Sequence, residues 1–245
     1  MKKLKHVLLI GGRRGIGKDY LDFLLEEKNS IVTYSGRNEI ILQKVNPRLN
    51  FIRVDLADTK GRKLLVKKAV QKHGKIDHIV FLQRNRDDNE IISNEVDIML
   101  SATSDIIDSS IEFFEPSGNK SIIVINSGLS RFASKESSLA YHLARGGIEQ
   151  LVRYYAVKLG PNGIRINSVS TCTIQKFENT IFFDTEGKDR VESQKQITPG
   201  KYFGNARDIS TIISFLASNS SKLINGQTII ADGGITIQWP EDLIW

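Results

Sequence analysis

The sequence predicts an α/β fold with a mainly parallel sheet covered by helices on both faces. Short runs rich in Ile and Val alternate along the whole length with longer stretches of helical period. The apolar runs are nearly continuous, as strands buried on both faces require. No internal repeat or low-complexity linker interrupts this alternation, so the 245 residues read as one domain, 1–245.

The elements follow in order. Lys2, Lys3 and Lys5 open the chain like a secretory leader, but the apolar stretch Val7 to Ile10 is too short for one and runs straight into Gly11-Gly12, so His6 to Ile10 is the first strand. Further strands are expected at Ile31 to Tyr34, Phe51 to Val54, His78 to Leu82, Ser121 to Ile125, Arg165 to Val169 and Thr228 to Ala231. Helical periodicity places helices near 15–28, 59–73, 95–114, 137–159 and 207–218. The stretch 176–205 fits the alternation worst. Its apolar knot Ile181-Phe182-Phe183, set between polar residues, reads either as a flap over a substrate pocket or as a surface excursion.

Composition narrows the function classes. Hydrophobic residues at 40% and charged ones at 25% exclude wholesale disorder, and no apolar run approaches the roughly 18 residues that span a bilayer. The single Cys172 forms no internal disulfide and supports no zinc cluster, so no metal is expected and a reducing cytoplasm is the natural compartment. The net charge of +6 raises the question of a polyanion. Lys60, Arg62, Lys63, Lys67, Lys68 and Lys72 cluster, yet at helical spacing, as the solvated face of an amphipathic helix. No nucleic acid or membrane partner is expected; a phosphate-bearing cofactor or an acidic carrier protein uses the same charge.

Gly11-Gly12-Arg13-Arg14-Gly15-Ile16-Gly17 follows the first strand and opens a helical stretch. Glycines at such a turn let backbone approach a pyrophosphate, and the helix N-terminus offers it amides. A tight turn alone explains the loop less well, given its place after the first strand of a repeating βα pattern. The spacing resembles the TGxxxGxG loop of the short-chain dehydrogenase/reductase family. Val54-Asp55-Leu56, Ile123-Val124-Ile125-Asn126-Ser127, Tyr141-His142-Leu143-Ala144-Arg145, Gly163 to Val169, Pro199 to Gly204 and Asn225 through Gly234 then resemble that family's later landmarks, in order and over essentially the whole chain. The resemblance implies a doubly wound Rossmann-type fold with a seven-stranded, mainly parallel sheet. It implies cofactor contacts from Gly11, Arg13, Arg14, Gly15, Ile16 and Gly17, with Asp55 and Leu56 holding the adenine. The second strand ends Tyr34-Ser35-Gly36-Arg37, with no carboxylate to repel a 2′-phosphate. Arg37 with Arg13 or Arg14 therefore points to NADP, in the form NADPH.

The resemblance also implies a catalytic set of Ser127, Tyr141 and Arg145, with Tyr141 as proton donor to a carbonyl. A shift in the loop brings Gly128 or Ser130 to the serine position instead. Four features depart from the family pattern: Arg145 replaces the lysine, Met99 or a neighbour the asparagine, Phe81-Leu82-Gln83-Arg84 the NNAG segment, and Thr171-Cys172 the Pro-Gly pair. Arginine keeps the charge but relays no proton. Tyr141 also reads as a half-buried aromatic of an amphipathic helix.

Three functions follow: reduction of a ketone or ketoacyl group by hydride transfer, a redox-inactive cofactor- or partner-binding protein, or elimination or isomerisation in the same pocket. A homotetramer or homodimer is expected through 96–114 and 141–159. Ile106, Ile107, Ile111, Phe113 and Phe114 on one helix, and Ile148, Leu151, Val152, Tyr155 and Leu159 on the other, exceed what one sheet-facing stripe needs.

Overall fold

The computed structural model describes residues 3–40, 46–85, 91–175 and 187–239. Its seven strands are β1 (Lys5–Ile10), β2 (Ser30–Gly36), β3 (Leu49–Arg53), β4 (His78–Phe81), β5 (Lys120–Ser127), β6 (Ile164–Thr171) and β7 (Thr228–Ala231). They form one sheet in the order β3-β2-β1-β4-β5-β6-β7, and every pairing is parallel. The order reverses between β1 and β4, which is the fold expected from the sequence.

Among the described residues seven helices accompany the sheet: α1 (Ile16–Glu26), α2 (Thr59–His73), α3 (Ile92–Val96), α4 (Ala102–Ser110), α5 (Leu139–Leu159), α6 (Gly187–Ile197) and α7 (Ala206–Leu216). Leu65, Val66, Ile106, Ile107, Ile148 and Val152 of α2, α4 and α5 pack with Ile122 and Val124 on one sheet face. Tyr20, Leu21, Leu24, Ile209, Ile213 and Leu216 of α1 and α7 pack with Ile123 on the other. Side chains alternate along β5, so successive residues feed the two cores in turn.

Local chemistry fixes the helix ends. Asp58 accepts from the Lys60 amide at 3.0 Å to start α2, and Ser138 accepts from the Tyr141 amide at 3.2 Å to start α5. Asn205 and Asp208 form a reciprocal capping box at α7. The far end of α7 is closed by Arg165, whose guanidinium donates to the carbonyls of Leu216 (2.9 Å), Ser218 (3.2 Å), Ser221 (3.1 Å) and Ile224 (3.1 Å).

The structure corrects four readings of the sequence. The helix expected over 95–114 is interrupted: a π-helical turn, Asp97–Ser101, separates α3 from α4 and re-aims the residues before it. Strands β5 and β6 run further than their apolar cores, to the pair Ser127 and Thr171. Arg62 is not on a solvated face; it is buried and donates to Asp105 (2.7 Å) and Asp97 (2.9 Å), which ties α2 to the turn before α4. The apolar surplus assigned to an oligomer interface is spent inside the chain. Ile106, Ile107, Phe114, Ile148, Val152, Tyr155 and Leu159 are buried, and Ile111, Phe113 and Leu151 pack against the same core. Of the expected flap, 176–186 with its Ile181-Phe182-Phe183 knot lies outside the described residues, and 187–197 is helix α6.

Two neutral histidines are sealed at the N-terminal edge of the sheet. His78 Nδ1 lies 2.9 Å from Ser121 Oγ, and burial pushes its pKa down to about 3. Burial lowers His6 as well, against a backbone contact with Gly74. A depressed histidine pKa stabilises the fold fully above pH 6.5, and that stability drains as pH falls toward the folded value. Between pH 7 and pH 5, His78 alone is expected to remove about 2 kcal/mol, read as a lower urea midpoint; His78→Asn should flatten that dependence.

Candidate active site

The loop after β1 is built for close backbone approach. Gly11 and Gly15 take φ of 94° and 55°, and a Cβ on Gly17 would lie 2.8 Å from the Gly11 carbonyl oxygen. The first turn of α1 is thereby drawn against the end of β1. Gly15 caps the helix with no side-chain hydrogen bond, so the turn amides of α1 meet no capping side chain. Ile16 packs into the α1/α7 core and holds the loop down, while Arg13 is half-buried and Arg14 exposed. Burial raises the pKa of the Tyr34 hydroxyl at the end of β2, the Ile40 amide opposes that shift, Glu39 adds to it and Arg13 opposes it.

A cavity of about 390 Å³ opens at the C-terminal ends of β2 and β3. Arg37, Asp55 and Asp58 line it, together with Arg53 and Lys68, two cations that the motif reading missed. Arg53 ends β3 directly opposite Gly36, one residue before Arg37. The sequence signal was a basic residue two positions before Asp55, legible only once the strand register is known. Leu56 packs against the core, and its carbonyl accepts from Arg62 at 2.9 Å. Glycine backbone at one end of this edge and paired arginines around a cavity at the other fit a phosphate-bearing dinucleotide.

Tyr141 and Arg145 share a face of α5 one turn apart. The guanidinium carbon sits 4.5 Å from the Tyr141 ring centroid, so the arginine lies against the ring. Arg145 is 4% exposed; its Nη1 donates to the Ile125 carbonyl at 3.3 Å, and its Nε has no partner. Burial pushes its pKa below the ordinary arginine value, Tyr141 and Glu95 oppose that shift, and Arg84 adds to it. The phenol therefore has a buried, permanent cation beside it.

Ser127 ends β5, where its hydroxyl oxygen accepts from the Leu129 amide at 3.3 Å. By alternation it shares the parity of Ile123, on the face of α1 and α7, whereas Asn126 shares that of Val124, on the face of α5. The β5 side chain that meets α5 is thus Asn126, which donates to the Arg145 carbonyl at 3.2 Å and leaves Oδ1 buried without a partner. Gly128 lines a small cavity of about 20 Å³ with Ser170, Cys172 and Asp232, and burial raises the Cys172 pKa. Ser130 is turned away to Glu149 at 2.7 Å. Met99 is buried in the π turn, and Gln83 donates to Thr103 at 2.8 Å. Glu95, buried on α3, is a further residue the sequence reading did not single out; a lone Glu at a helix start carried no signal.

Comparison with known proteins agrees with this architecture. The family profile described as Enoyl-(Acyl carrier protein) reductase matches residues 13–236. The chain is 24% identical to 1-cyclohexenylcarbonyl-CoA reductase of Streptomyces collinus, over 95% of this chain and 87% of that protein. It is 26% identical to a 3-oxoacyl-[acyl-carrier-protein] reductase of Chlamydia pneumoniae, over 95% and 97%. Among solved structures, a short-chain dehydrogenase of Leptospira borgpetersenii with bound NAD+ superposes with a TM-score of 0.81 at 22% identity, covering 96% of this chain and 93% of that one. A tyrosine-to-phenylalanine variant of ElxO with NADPH bound superposes with a TM-score of 0.84 at 21% identity, covering 97% and 100%. From the glycine loop, the parallel sheet reversing at β1 and β4, and a profile match over nearly its whole length, the chain belongs to the short-chain dehydrogenase/reductase family and is an oxidoreductase of that type.

Proposed function

We propose that this chain is an NADPH-dependent reductase of a ketone or ketoacyl carbonyl, with Tyr141 as the proton donor. The observation that carries the reading is the half-buried Tyr141 with the Arg145 guanidinium against its ring, at the sheet edge that also bears the glycine loop. The bound dinucleotide supplies the hydride. Tyr141 gives its hydroxyl proton to the carbonyl oxygen as negative charge develops there. Arg145 then stabilises the tyrosinate by proximity, without moving a proton itself. Ser127, whose hydroxyl oxygen is occupied by the Leu129 amide, has its own proton to offer a carbonyl oxygen at the end of β5. Gly11, Gly15, Gly17 and the first turn of α1 take the pyrophosphate, and Asp55 and Leu56 flank the adenine.

Acyl substrates, free or on an acidic carrier protein, suit the net charge of +6 and the acyl-CoA and acyl-carrier-protein reductases among the relatives. The single cysteine suits a reducing cytoplasm. A second reading, a family member that binds cofactor or partner without redox turnover, is favoured by one observation: the π turn buries Met99 where the family has asparagine. Turnover of NADPH with small diketones and ketoacyl thioesters separates the two. Binding without oxidation selects the second. On a turned-over substrate, Tyr141→Phe is expected to lower kcat by about 10²- to 10⁴-fold while NADPH affinity stays within about twofold.

The cofactor preference rests on Arg37 and Arg53 beside a cavity that Asp55 and Asp58 also line, with no acid in β2 itself or at Arg37. A charge-assisted contact to the 2′-phosphate corresponds to roughly 10- to 100-fold tighter binding of NADPH than NADH. Fluorescence titration of both cofactors against wild type and Arg37→Ala tests this, and equal affinities in wild type remove the assignment.

A homodimer or homotetramer belongs to the same reading, now resting on the outer face of α5, where Tyr154 is 58% and Val157 80% exposed. Light scattering at micromolar concentration should give a multiple of 27.5 kDa; a monomer mass refutes it.

A further inference from the structure

The loop that follows Ser127 carries a cation that none of the roles above employs. Gly128–Ser130 is a tight turn in which the Gly128 carbonyl accepts from the amides of Arg131 (3.1 Å) and Phe132 (3.2 Å), so Arg131 is folded back onto the residue next to Ser127. Its guanidinium grips Glu149 side-on: Nε donates to Oε1 at 2.9 Å and Nη2 to Oε2 at 3.3 Å. Glu149 is buried and is held by two further groups, the Ser130 hydroxyl at 2.7 Å and Arg153 at 3.6 Å. It follows Arg145 by one turn of α5 and Tyr141 by two, on the same face of that helix. The loop after β5 and the helix bearing Tyr141 are therefore joined through one carboxylate.

Two guanidiniums against one carboxylate leave this bracket with a net positive charge, and Nη1 of Arg131 makes no hydrogen bond among the described residues. Arg131 also lines the cavity of about 20 Å³ at the ends of β5 and β6, with Gly128, Phe132, Ser170 and Cys172. The carboxylate in that lining, Asp232, already accepts from the Gly234 amide (2.9 Å), the Thr236 amide (3.0 Å) and the Thr236 hydroxyl (2.6 Å), so it is committed to its own turn rather than to Arg131. A pre-oriented guanidinium with an unspent nitrogen, next to the exposed ring of Phe132, suits an oxyanion on a short apolar chain. We propose that Arg131 is a specificity-determining residue that receives a carboxylate of the substrate, with Glu149 as the positioning residue that holds its fork, so that the carbonyl reduced here belongs to a short, free oxo acid. This rests on the reductase reading above and narrows its substrate. A carboxylate is favoured over the phosphate of a thioester's carrier arm, because a cavity of this size has room for one small polar group.

Kinetics with acetoacetate, acetoacetyl-CoA and neutral acetylacetone as probes tests this. Wild type should prefer acetoacetate to acetylacetone. In Arg131→Gln the ratio of kcat/KM for acetoacetate over that for acetylacetone is expected to fall roughly 10- to 100-fold, carried mainly by KM. Arg131→Lys, which keeps the charge without the fork, should recover part of the ratio, and Glu149→Gln should lower it about threefold to tenfold, in KM rather than in kcat. Calorimetric titration of acetoacetate into the protein, with and without NADP+, gives a readout that needs no turnover: wild type should bind it, and Arg131→Gln should bind it about tenfold more weakly or less. Absence of binding to wild type, an unchanged ratio in Arg131→Gln, or a dependence on Arg131 seen with acetoacetyl-CoA and not with acetoacetate overturns the proposal. A Glu149→Gln variant that only melts earlier, with its KM unmoved, overturns the positioning role. If wild type oxidises NADPH with none of the probes, the reductase reading fails by itself, and the titration still decides whether Arg131 receives a carboxylate.

Discussion

Everything at this site depends on the seven strands running the same way. A parallel sheet gathers the C-terminal ends of its strands at one edge, and each return connection is long enough to carry a helix. The glycine loop after β1, Arg37 after β2, Asp55 after β3, Gln83 after β4, Ser127 at the end of β5 and Thr171 at the end of β6 are far apart in sequence and share that edge. The order reverses between β1 and β4, where helices leave to opposite faces and a crevice opens, the position at which open α/β sheets bind ligands.

Three arginines, Arg62 and Arg145 buried and Arg165 half-buried, show how this chain separates structure from chemistry. Arg165 meets four backbone carbonyls and the Asn119 side chain (3.0 Å), so its donors are spent closing α7. Arg62 meets two carboxylates and the Leu56 carbonyl (2.9 Å), which welds α2 to the α3–α4 region. Arg145, as buried as Arg62, donates to the Ile125 carbonyl at 3.3 Å, lies against the Tyr141 ring and leaves its Nε without a partner. A guanidinium held in the interior with its Nε unmet is costly, and the surrounding fold must hold it there. In the two structural arginines burial and partners match, whereas at Arg145 they do not, and that mismatch sits beside the phenol.

The opposite edge of the sheet has a different character. There His6 bridges the Gly74 carbonyl and Thr33 Oγ1, each at 2.9 Å, and His78 meets Ser121. These imidazoles are neutral hydrogen-bonding fillers that align strand starts. These two imidazoles, which resist protonation, set stability against acid at the edge away from the glycine loop.

Much was legible in the sequence because it is written locally. Alternation of Ile/Val runs with helical period depends on near neighbours, and so the strands, their order along the chain, the glycine loop and the i, i+4 pairing of Tyr141 with Arg145 could be read directly. What tertiary structure alone decided is which side chains face each other across elements. The apolar residues of α4 and α5 looked like an interface because periodicity counts apolar positions without saying how many neighbours surround the helix; the sheet and the flanking helices bury most of them and partly cover Ile111, Phe113 and Leu151. Arg53 joins Arg37 only through the register of β2 against β3. Asn126, not Ser127, meets α5 because the parity of β5 is set by the cores it feeds. The π turn and the packing of α3 against α5 are likewise not properties of any short stretch of chain.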